Sequence, residues 1–131
     1  MNKTCVNPWE WSKTFGYNQG VVIEAPKRQL IISGQTSMND KGEPVFENDM
    51  EAQIIQSLDN LEAVLTSAEF NFEDVVKLGI FTTDIEATKT YFGHVASRFA
   101  GIDATITMVL AEVQSLAIPS LMFEIEAIAF Q

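Results

Sequence analysis

The sequence predicts an α+β fold in which one sheet carries two helices on a single face. Apolar runs, alternating or continuous, predict strands at 20–25, 28–34, 74–84, 105–113 and 121–130. Apolar residues at helical spacing predict one helix after Asn48 and a second after Asp84. The element order is therefore β-β-α-β-α-β-β, and we interpret residues 1–131 as a single domain.

The first two predicted strands are expected to pair with each other. Pro26 and Lys27 lie between them, and a short segment containing proline favours a tight turn. An antiparallel hairpin is the simplest structure for two strands joined in this way. Between the last two strands, Pro119 excludes a continuing helix or a central strand.

The first helix shows the clearest pattern, because its apolar residues recur at steps of three and four along one stripe: Met50, Ile54, Leu58, Leu61, Leu65 and Ala68. Asn48 is the expected N-cap, with Glu51 three residues later as its reciprocal partner. The second helix is expected to be capped by Asp84 and to end at Gly101. Its apolar face consists of Ile85, Phe92, Val95 and Phe99.

The third predicted strand is apolar on both sides. Alternation places Val76, Leu78 and Ile80 on one side of this strand. Val75, Gly79 and Phe81 are expected on the other side. Because the helices cover only one face of the sheet, the second face requires another partner. We therefore expect the chain to associate with copies of itself.

Composition argues against several classes of function. The formal net charge is -10, from 18 acidic and 8 basic residues, and no cluster of Lys and Arg interrupts it. This balance argues against a nucleic-acid surface and against an anionic membrane face. No apolar run is long enough to span a bilayer, and no signal peptide is recognised. The single cysteine, Cys5, excludes an internal disulfide and is consistent with a cytoplasmic protein.

Most standard catalytic and cofactor motifs are missing. The chain has no dinucleotide or nucleotide phosphate loop, no CxxC and no HExxH. Its one histidine, His94, lies in the second helix and cannot form a histidine-rich metal site. Neither a metal nor a cofactor is expected from these residues.

Glu124 and Glu126 stand out because they interrupt an apolar final strand, LMFEIEAIAF. Alternation puts both carboxylates on one face, about 6–7 Å apart. Two interpretations remain open. The pair can be a charged device that discourages aggregation of an edge strand. Alternatively, it can belong to a site at a subunit boundary, where a carboxylate moves protons or orients water.

Several stretches, in this order, resemble one known family: FGYNQG at 15–20, ISGQ at 32–35, AQIIQSLDNLEAVL at 52–65, DVVKLGIFTTD at 74–84 and FEIEAIA at 123–129. Together they are similar to the RidA/YjgF (Rid) family, from about residue 9 to the end of the chain. The opening NPWEWSKTFGY and the LAIP before the last strand resemble a divergent branch of that family.

The resemblance implies a chorismate-mutase-like fold assembled as a homotrimer, with helices outside and three clefts between subunits. It implies hydrolysis of reactive imines and enamines. Glu124 matches the glutamate that orients the hydrolytic water, and Glu126 matches a structural one. Tyr17 would line the cleft, and Ser33 and Gly34 match a turn whose backbone approaches the ligand.

One departure from the family pattern affects the expected substrate. RidA-type members carry an arginine early in the fourth strand of this order, and it clamps the substrate carboxylate. Met108 occupies that place, and neither Thr107 nor Val109 supplies a charge if the alignment shifts by one. Phe92 stands near the place of a family asparagine. We therefore expect a cleft without a cation that prefers neutral or apolar ligands, which argues against RidA-type deamination of 2-iminoacids.

Three functions are compatible with these residues. The first is hydrolysis of an imine, enamine or related C–N bond in a small metabolite. The second is a trimeric module that binds a small molecule without catalysis. The third is RNA cleavage, an activity ascribed to some relatives, which the net charge of -10 disfavours.

Overall fold

The computed structural model describes the whole chain, Met1–Gln131. The strands are β1 (Asn2–Val6), β2 (Gly20–Glu24), β3 (Gln29–Gln35), β4 (Val75–Thr82), β5 (Thr107–Glu112) and β6 (Phe123–Phe130). The helices are α1 (Trp11–Thr14), α2 (Met50–Ser67), α3 (Ile85–Thr90) and α4 (Gly93–Arg98), with one 3₁₀ turn at Phe72–Asp74. The predicted order is confirmed, with β1 and α1 added before it and the second helix divided into α3 and α4.

Four of the strands form one mixed sheet in the order β3-β6-β4-β5. β6 is antiparallel to both of its neighbours, whereas β4 and β5 are parallel. A parallel pair needs a long crossover, and α3 and α4 supply it. β3 and β5 are therefore the two opposite edges of this sheet.

The predicted hairpin between β2 and β3 is wrong. β2 pairs with β1 in a separate two-stranded ribbon, and β3 pairs with β6. The polar segment NKTCV gave no strand signal, although its backbone supplies the partner that β2 needs. At the expected turn, Lys27 and Arg28 donate backbone N–H bonds to the carbonyl of Gln131, so the chain leaves the ribbon there and joins β6.

α2 is the main helix against the sheet, where it contacts β6 and β3. Its predicted stripe is confirmed, since Met50, Ile54, Leu58, Leu61 and Leu65 are all buried. The N-cap is Asp49 and not Asn48: the Asp49 carboxylate accepts a hydrogen bond from the backbone N–H of Ala52 at 3.0 Å. Asn48 instead has a positive φ of 63° in the turn before the helix.

The Asp84 cap is confirmed, because its carboxylate accepts a hydrogen bond from the N–H of Ala87 at 3.0 Å. The helix it starts is interrupted around Tyr91 and Phe92, and α4 begins at Gly93. Gly101 follows α4 with φ +75°, which suits a glycine after a helix end.

One face of the sheet is closed by the helices and the other is open. The core joins the apolar stripe of α2 to the inward residues of the strands, among them Leu78, Ile80, Phe123 and Ile125. A register shift between Val75 and Lys77 breaks the predicted alternation of β4. Val75 therefore belongs to the core, and the open face of β4 carries Lys77, Gly79 and Phe81.

Candidate functional site

Glu124 and Glu126 lie on the open face of the sheet, as the alternation of β6 predicts. Their neighbours along the strand, Phe123, Ile125 and Ala127, are buried under the helices. Glu124 is opposite Phe81 of β4, and Glu126 is opposite Gly79. None of the ion pairs in the chain includes either carboxylate. Both are therefore free to interact with a group that is not part of this chain.

A bulge in β3 places Gly34 against Glu124. The β3–β6 register is irregular between Ile32 and Gln35, so Ser33 and Gly34 fall outside the regular ladder. A Cβ on Gly34 would lie 2.6 Å from Cδ and 2.9 Å from Cγ of Glu124, which is too close for any side chain. The glycine thus makes room for the carboxylate, and the structure brings Gly34 against Glu124, with Ser33 next to Gly34 in the same bulge.

A second glycine accommodates Glu126 in the same manner. A Cβ on Gly79 would lie 2.7 Å from Oε1 and 2.8 Å from Cγ of Glu126. Both glutamate side chains therefore lie over a glycine on a neighbouring strand, one on β3 and one on β4. The two carboxylates are held on either side of β6.

Tyr17, Phe92 and Met108 form a second group, in a different part of the molecule. They line a cleft of about 520 Å³ together with Phe15, Lys89 and Leu110. This volume falls in the range of small-molecule sites, roughly 300–1,000 Å³. The sequence did not predict Phe15 and Lys89 as cleft residues, although Phe15 is the first residue of the FGYNQG stretch that resembles the family.

The segment before β2 holds Tyr17 over this cleft. Asn18 donates its backbone N–H to the carbonyl of Ile106 at 2.8 Å, which fixes the segment to the start of β5. Trp11 packs edge-on against Tyr17 with ring centroids 6.3 Å apart. Asn7 reinforces the arrangement with a 2.8 Å side-chain bond to Asn18. The NPWEW segment thus supports one wall of the cleft.

The cleft continues inward as an apolar pocket of about 220 Å³ between β5 and α4. Phe15, Phe92 and Met108 border both spaces, and Leu78, Val95 and Phe99 lie deeper. Met108 therefore faces the helices, on the same side of the sheet as its pairing partner Leu78. The register places Thr107 and Val109 on the open face.

The two groups of predicted residues do not meet within one chain. Met108 lies on edge strand β5, two strands away from Glu124 on β6, a separation of about 10 Å at the usual strand spacing. Their side chains also project from opposite faces of the sheet. The predicted site residues therefore lie in two separate groups, which we call the half-sites: Glu124 with Ser33 and Gly34, and Tyr17 with Phe92 and Met108.

A comparison with known protein families identifies the chain. The model of the family described as endoribonuclease L-PSP matches residues 11–131. The chain belongs to this family, the RidA/YjgF family.

Relatives within the RidA/YjgF family agree with this assignment. The 2-iminobutanoate/2-iminopropanoate deaminase of Escherichia coli is 34% identical over 114 residues, covering 86% of this chain and 85% of the relative. A Rid family protein of unknown function from Yersinia pestis, YyfB, has a similar crystal structure, with a TM-score of 0.85, 32% identity and full coverage of both chains. The Escherichia coli TdcF structure with bound serine gives a TM-score of 0.70 at 29% identity, covering 88% of this chain and 87% of that one.

The chorismate-mutase-like Rid fold predicted from the sequence is therefore confirmed.

The two arginines of the chain bond groups outside the cleft, and a lysine is the only cation in its wall. Arg98 is bound to Asp59 at 2.6 Å and to Glu62 at 2.8 Å. Arg28 bonds the side chain of Gln131 and the carbonyl of Ala68. Neither arginine lines the cleft. Lys89 lies in the cleft wall, and the sequence-based expectation of a cleft without a cation did not include it.

Other candidate sites are absent from the structure. No three His, Cys, Asp or Glu side chains converge as metal ligands would. His94 bonds Glu51 through Nε2 at 2.9 Å and lies outside both half-sites. No helix of the chain is long and apolar enough to cross a bilayer.

Proposed function

We propose that the protein hydrolyses an imine, an enamine or a related C–N bond of a small metabolite, in clefts shared between the subunits of a homotrimer. Glu124 handles the proton and the water in this scheme. The protein acts without a metal or cofactor, in the reducing cytoplasm, which suits its unpaired Cys5.

The division of the site into two half-sites carries this proposal. A ring of identical subunits uses two different surfaces of each chain at every contact. With edge strand β5 of one subunit beside the open face of the next, Tyr17 and Phe92 would meet Glu124 of the neighbour. Each cleft would then contain residues that no single chain brings together.

The open face of the sheet supports self-association. Ile31 is 72% exposed and Val109 is 49% exposed, and both lie on this face. Phe81, Ile128 and Phe130 lie there too, partly exposed. Large exposed apolar side chains grouped on one face in this way are unusual on a monomer and typical of an interface.

The proposed chemistry requires only a carboxylate and bound water. Water adds to the carbon of the C=N bond while Glu124 accepts its proton and then delivers that proton to the nitrogen. The resulting carbinolamine gives up its hydroxyl proton, by way of Glu124, to the amine nitrogen as the C–N bond breaks, so ammonia leaves and a carbonyl group remains. Gly34 has no side chain, and the Glu124 carboxylate occupies the space this leaves beside β3. The names of two relatives, an iminobutanoate/iminopropanoate deaminase and a protein with bound serine, support a small substrate of this kind.

The direct test is ammonia release from 2-iminoacids generated by an amino-acid oxidase. The wild-type protein should accelerate release over buffer, and Glu124→Gln should abolish most of the acceleration. Typical proton-transfer roles predict a loss of about a hundredfold or more. Equal rates for wild type, Glu124→Gln and buffer, across iminoacids of several sizes, would refute hydrolase activity of this type.

One observation favours a second function, a trimeric module that binds a small molecule without catalysis. Neither arginine reaches the cleft, so the family's carboxylate clamp is missing from it. Ligands that raise the melting temperature of wild type and Glu124→Gln alike, with no turnover, would favour this module. The same ligands should not stabilise Tyr17→Ala.

RNA cleavage, which the family description suggests, has little support from this chain. The net charge of -10 opposes a phosphate backbone, and neither half-site contains an arginine or a histidine. RNA degradation by the pure protein that a single half-site substitution abolishes would overturn this argument.

A further inference from the structure

Lys89 is the only charged residue in the wall of the large cleft. It projects from α3 beside Tyr17 and Phe92, and the other wall residues are Phe15, Met108 and Leu110. We infer that Lys89 binds an anionic group of the ligand, a carboxylate, and that the inner apolar pocket receives a bulky hydrocarbon side chain of the same molecule. The inference rests on the proposed ligand cleft and specifies the class of compound it takes.

The ammonium group of Lys89 is available for a ligand. Its one partner is Glu86, with Nζ 3.5 Å from Oε1, and the two side chains are 61% and 82% exposed. Such an exposed pair contributes little stability and is easily exchanged for another anion. The two arginines are held elsewhere by carboxylates or carbonyl groups, so they do not compete for this role.

The rest of the cleft wall offers an anion no other charged partner. Its five other residues are uncharged, so an entering carboxylate meets only this ammonium group. The chain as a whole carries a charge of -10 and repels anions elsewhere on its surface. Lys89 therefore gives this cleft the one positive group that can attract a carboxylate into it.

The inner pocket sets the preferred size of the ligand. It adds about 220 Å³ beyond Phe92 and Met108, and its deeper wall contains Val95 and Phe99. A methyl group would leave this space empty, whereas a branched or aromatic side chain would bury apolar surface in it. We therefore expect the order of affinity among carboxylates to follow the size of the side chain.

Calorimetric titration with three compounds tests the inference: the 2-oxo acid of leucine, its neutral methyl ester, and pyruvate. The wild-type protein should bind the leucine-derived acid more tightly than either the ester or pyruvate. Lys89→Met should weaken binding of the acid about tenfold or more and leave the ester unchanged. Lys89→Arg should retain most of the affinity, and Lys41→Met, an exposed lysine in a turn, serves as the control.

Equal affinity of the acid for wild type and Lys89→Met would overturn the role of Lys89, and so would absence of acid binding to the wild type. Pyruvate binding as tightly as the larger acid would overturn the size preference. These titrations involve no turnover. A protein that binds the acid through Lys89 but releases no ammonia from iminoacids would leave this inference intact while the hydrolase proposal fails.

Discussion

Gly34 and Glu124 are in direct contact across the boundary between β3 and β6, on the open face of the sheet. A Cβ at position 34 would lie 2.6 Å from Cδ of Glu124, a distance that real side chains do not adopt. The backbone φ of Gly34 is not positive, so a larger residue is excluded by lack of space and not by backbone strain. The proposed catalytic carboxylate can therefore adopt this position only because residue 34 of β3 has no side chain.

Gly34→Ala should displace the Glu124 carboxylate and reduce turnover strongly while changing stability modestly. The added methyl group must push aside a partly exposed side chain, which has room to move on an open face. We expect at least a tenfold loss in kcat/KM, with a change in unfolding free energy of about 1–2 kcal/mol. Ammonia-release kinetics and urea unfolding measure the two effects.

Two other glycines provide controls for that substitution. Gly79→Ala produces the same collision with Glu126, and should affect stability or assembly more than turnover. Gly93→Ala meets nothing within 4 Å at the first residue of α4, and should be neutral or stabilising by about 0.5–1 kcal/mol. Full activity in Gly34→Ala would mean that the position of the Glu124 carboxylate is not important.

Ile31→Lys should prevent assembly. Ile31 is 72% exposed in the single chain, opposite Ile128 on the open face, so a lysine there costs the isolated subunit little. In an interface between sheets the same lysine would be buried without a partner. Sedimentation should give three times the chain mass of 14.6 kDa for wild type and the mass of one chain for the variant.

The matched control is Ile102→Lys, which changes a 38% exposed isoleucine in the loop after α4, outside the strands of the sheet. This variant should assemble like the wild type. A wild-type protein that sediments as a monomer, or an Ile31→Lys variant that assembles normally, would contradict the proposed use of the open face.

Gln53→Leu should destabilise the protein through lost hydrogen bonds. The fully buried side chain of Gln53 donates to the carbonyls of Phe46 and Ser120 and accepts from the N–H of Met122, at 2.8–3.1 Å. A leucine would leave these backbone groups without partners, at a cost of about 2–4 kcal/mol.

Urea unfolding at fixed protein concentration measures this cost. The urea concentration at the midpoint should fall, while the dependence of the unfolding free energy on urea should stay the same. Gln56→Leu is the control, because Gln56 lies on the same helix and bonds only the side chain of Asn60. That change should cost less than about 1 kcal/mol. Similar losses for both variants would show that the three backbone bonds are not the cause.

Local patterns were sufficient to predict the apolar stripe of α2 and the face of the carboxylates. The stripe of α2 and the alternation of β6 depend on neighbours within a few residues, and both are confirmed. The N-cap was displaced by one residue because Asn48 and Asp49 are both good capping residues. Only the backbone conformation distinguishes the two.

Strand pairing could not be predicted in the same way. β2 pairs with β1 through backbone hydrogen bonds. The mostly polar side chains of β1 show no alternating pattern that would predict a strand there. The face of the sheet on which the Met108 side chain lies depends on the pairing of Met108 with Leu78. These two residues are far apart in the sequence, with α3 and α4 between them. The role of Lys89 was missed because an exposed lysine on a helix is ordinary until the tertiary structure places it beside Tyr17 and Phe92.

Chemical cross-linking between cysteines introduced at positions 17 and 124 tests most directly whether neighbouring subunits share the cleft. The background is Cys5→Ser, which removes the exposed native thiol. Chains carrying Tyr17→Cys alone and chains carrying Glu124→Cys alone are mixed, reassembled and treated with a short bifunctional maleimide. The account predicts covalently linked chains on a denaturing gel in the mixture, and few or none with either variant by itself. Chains that remain unlinked in the mixture, although sedimentation shows them assembled, would contradict the shared cleft.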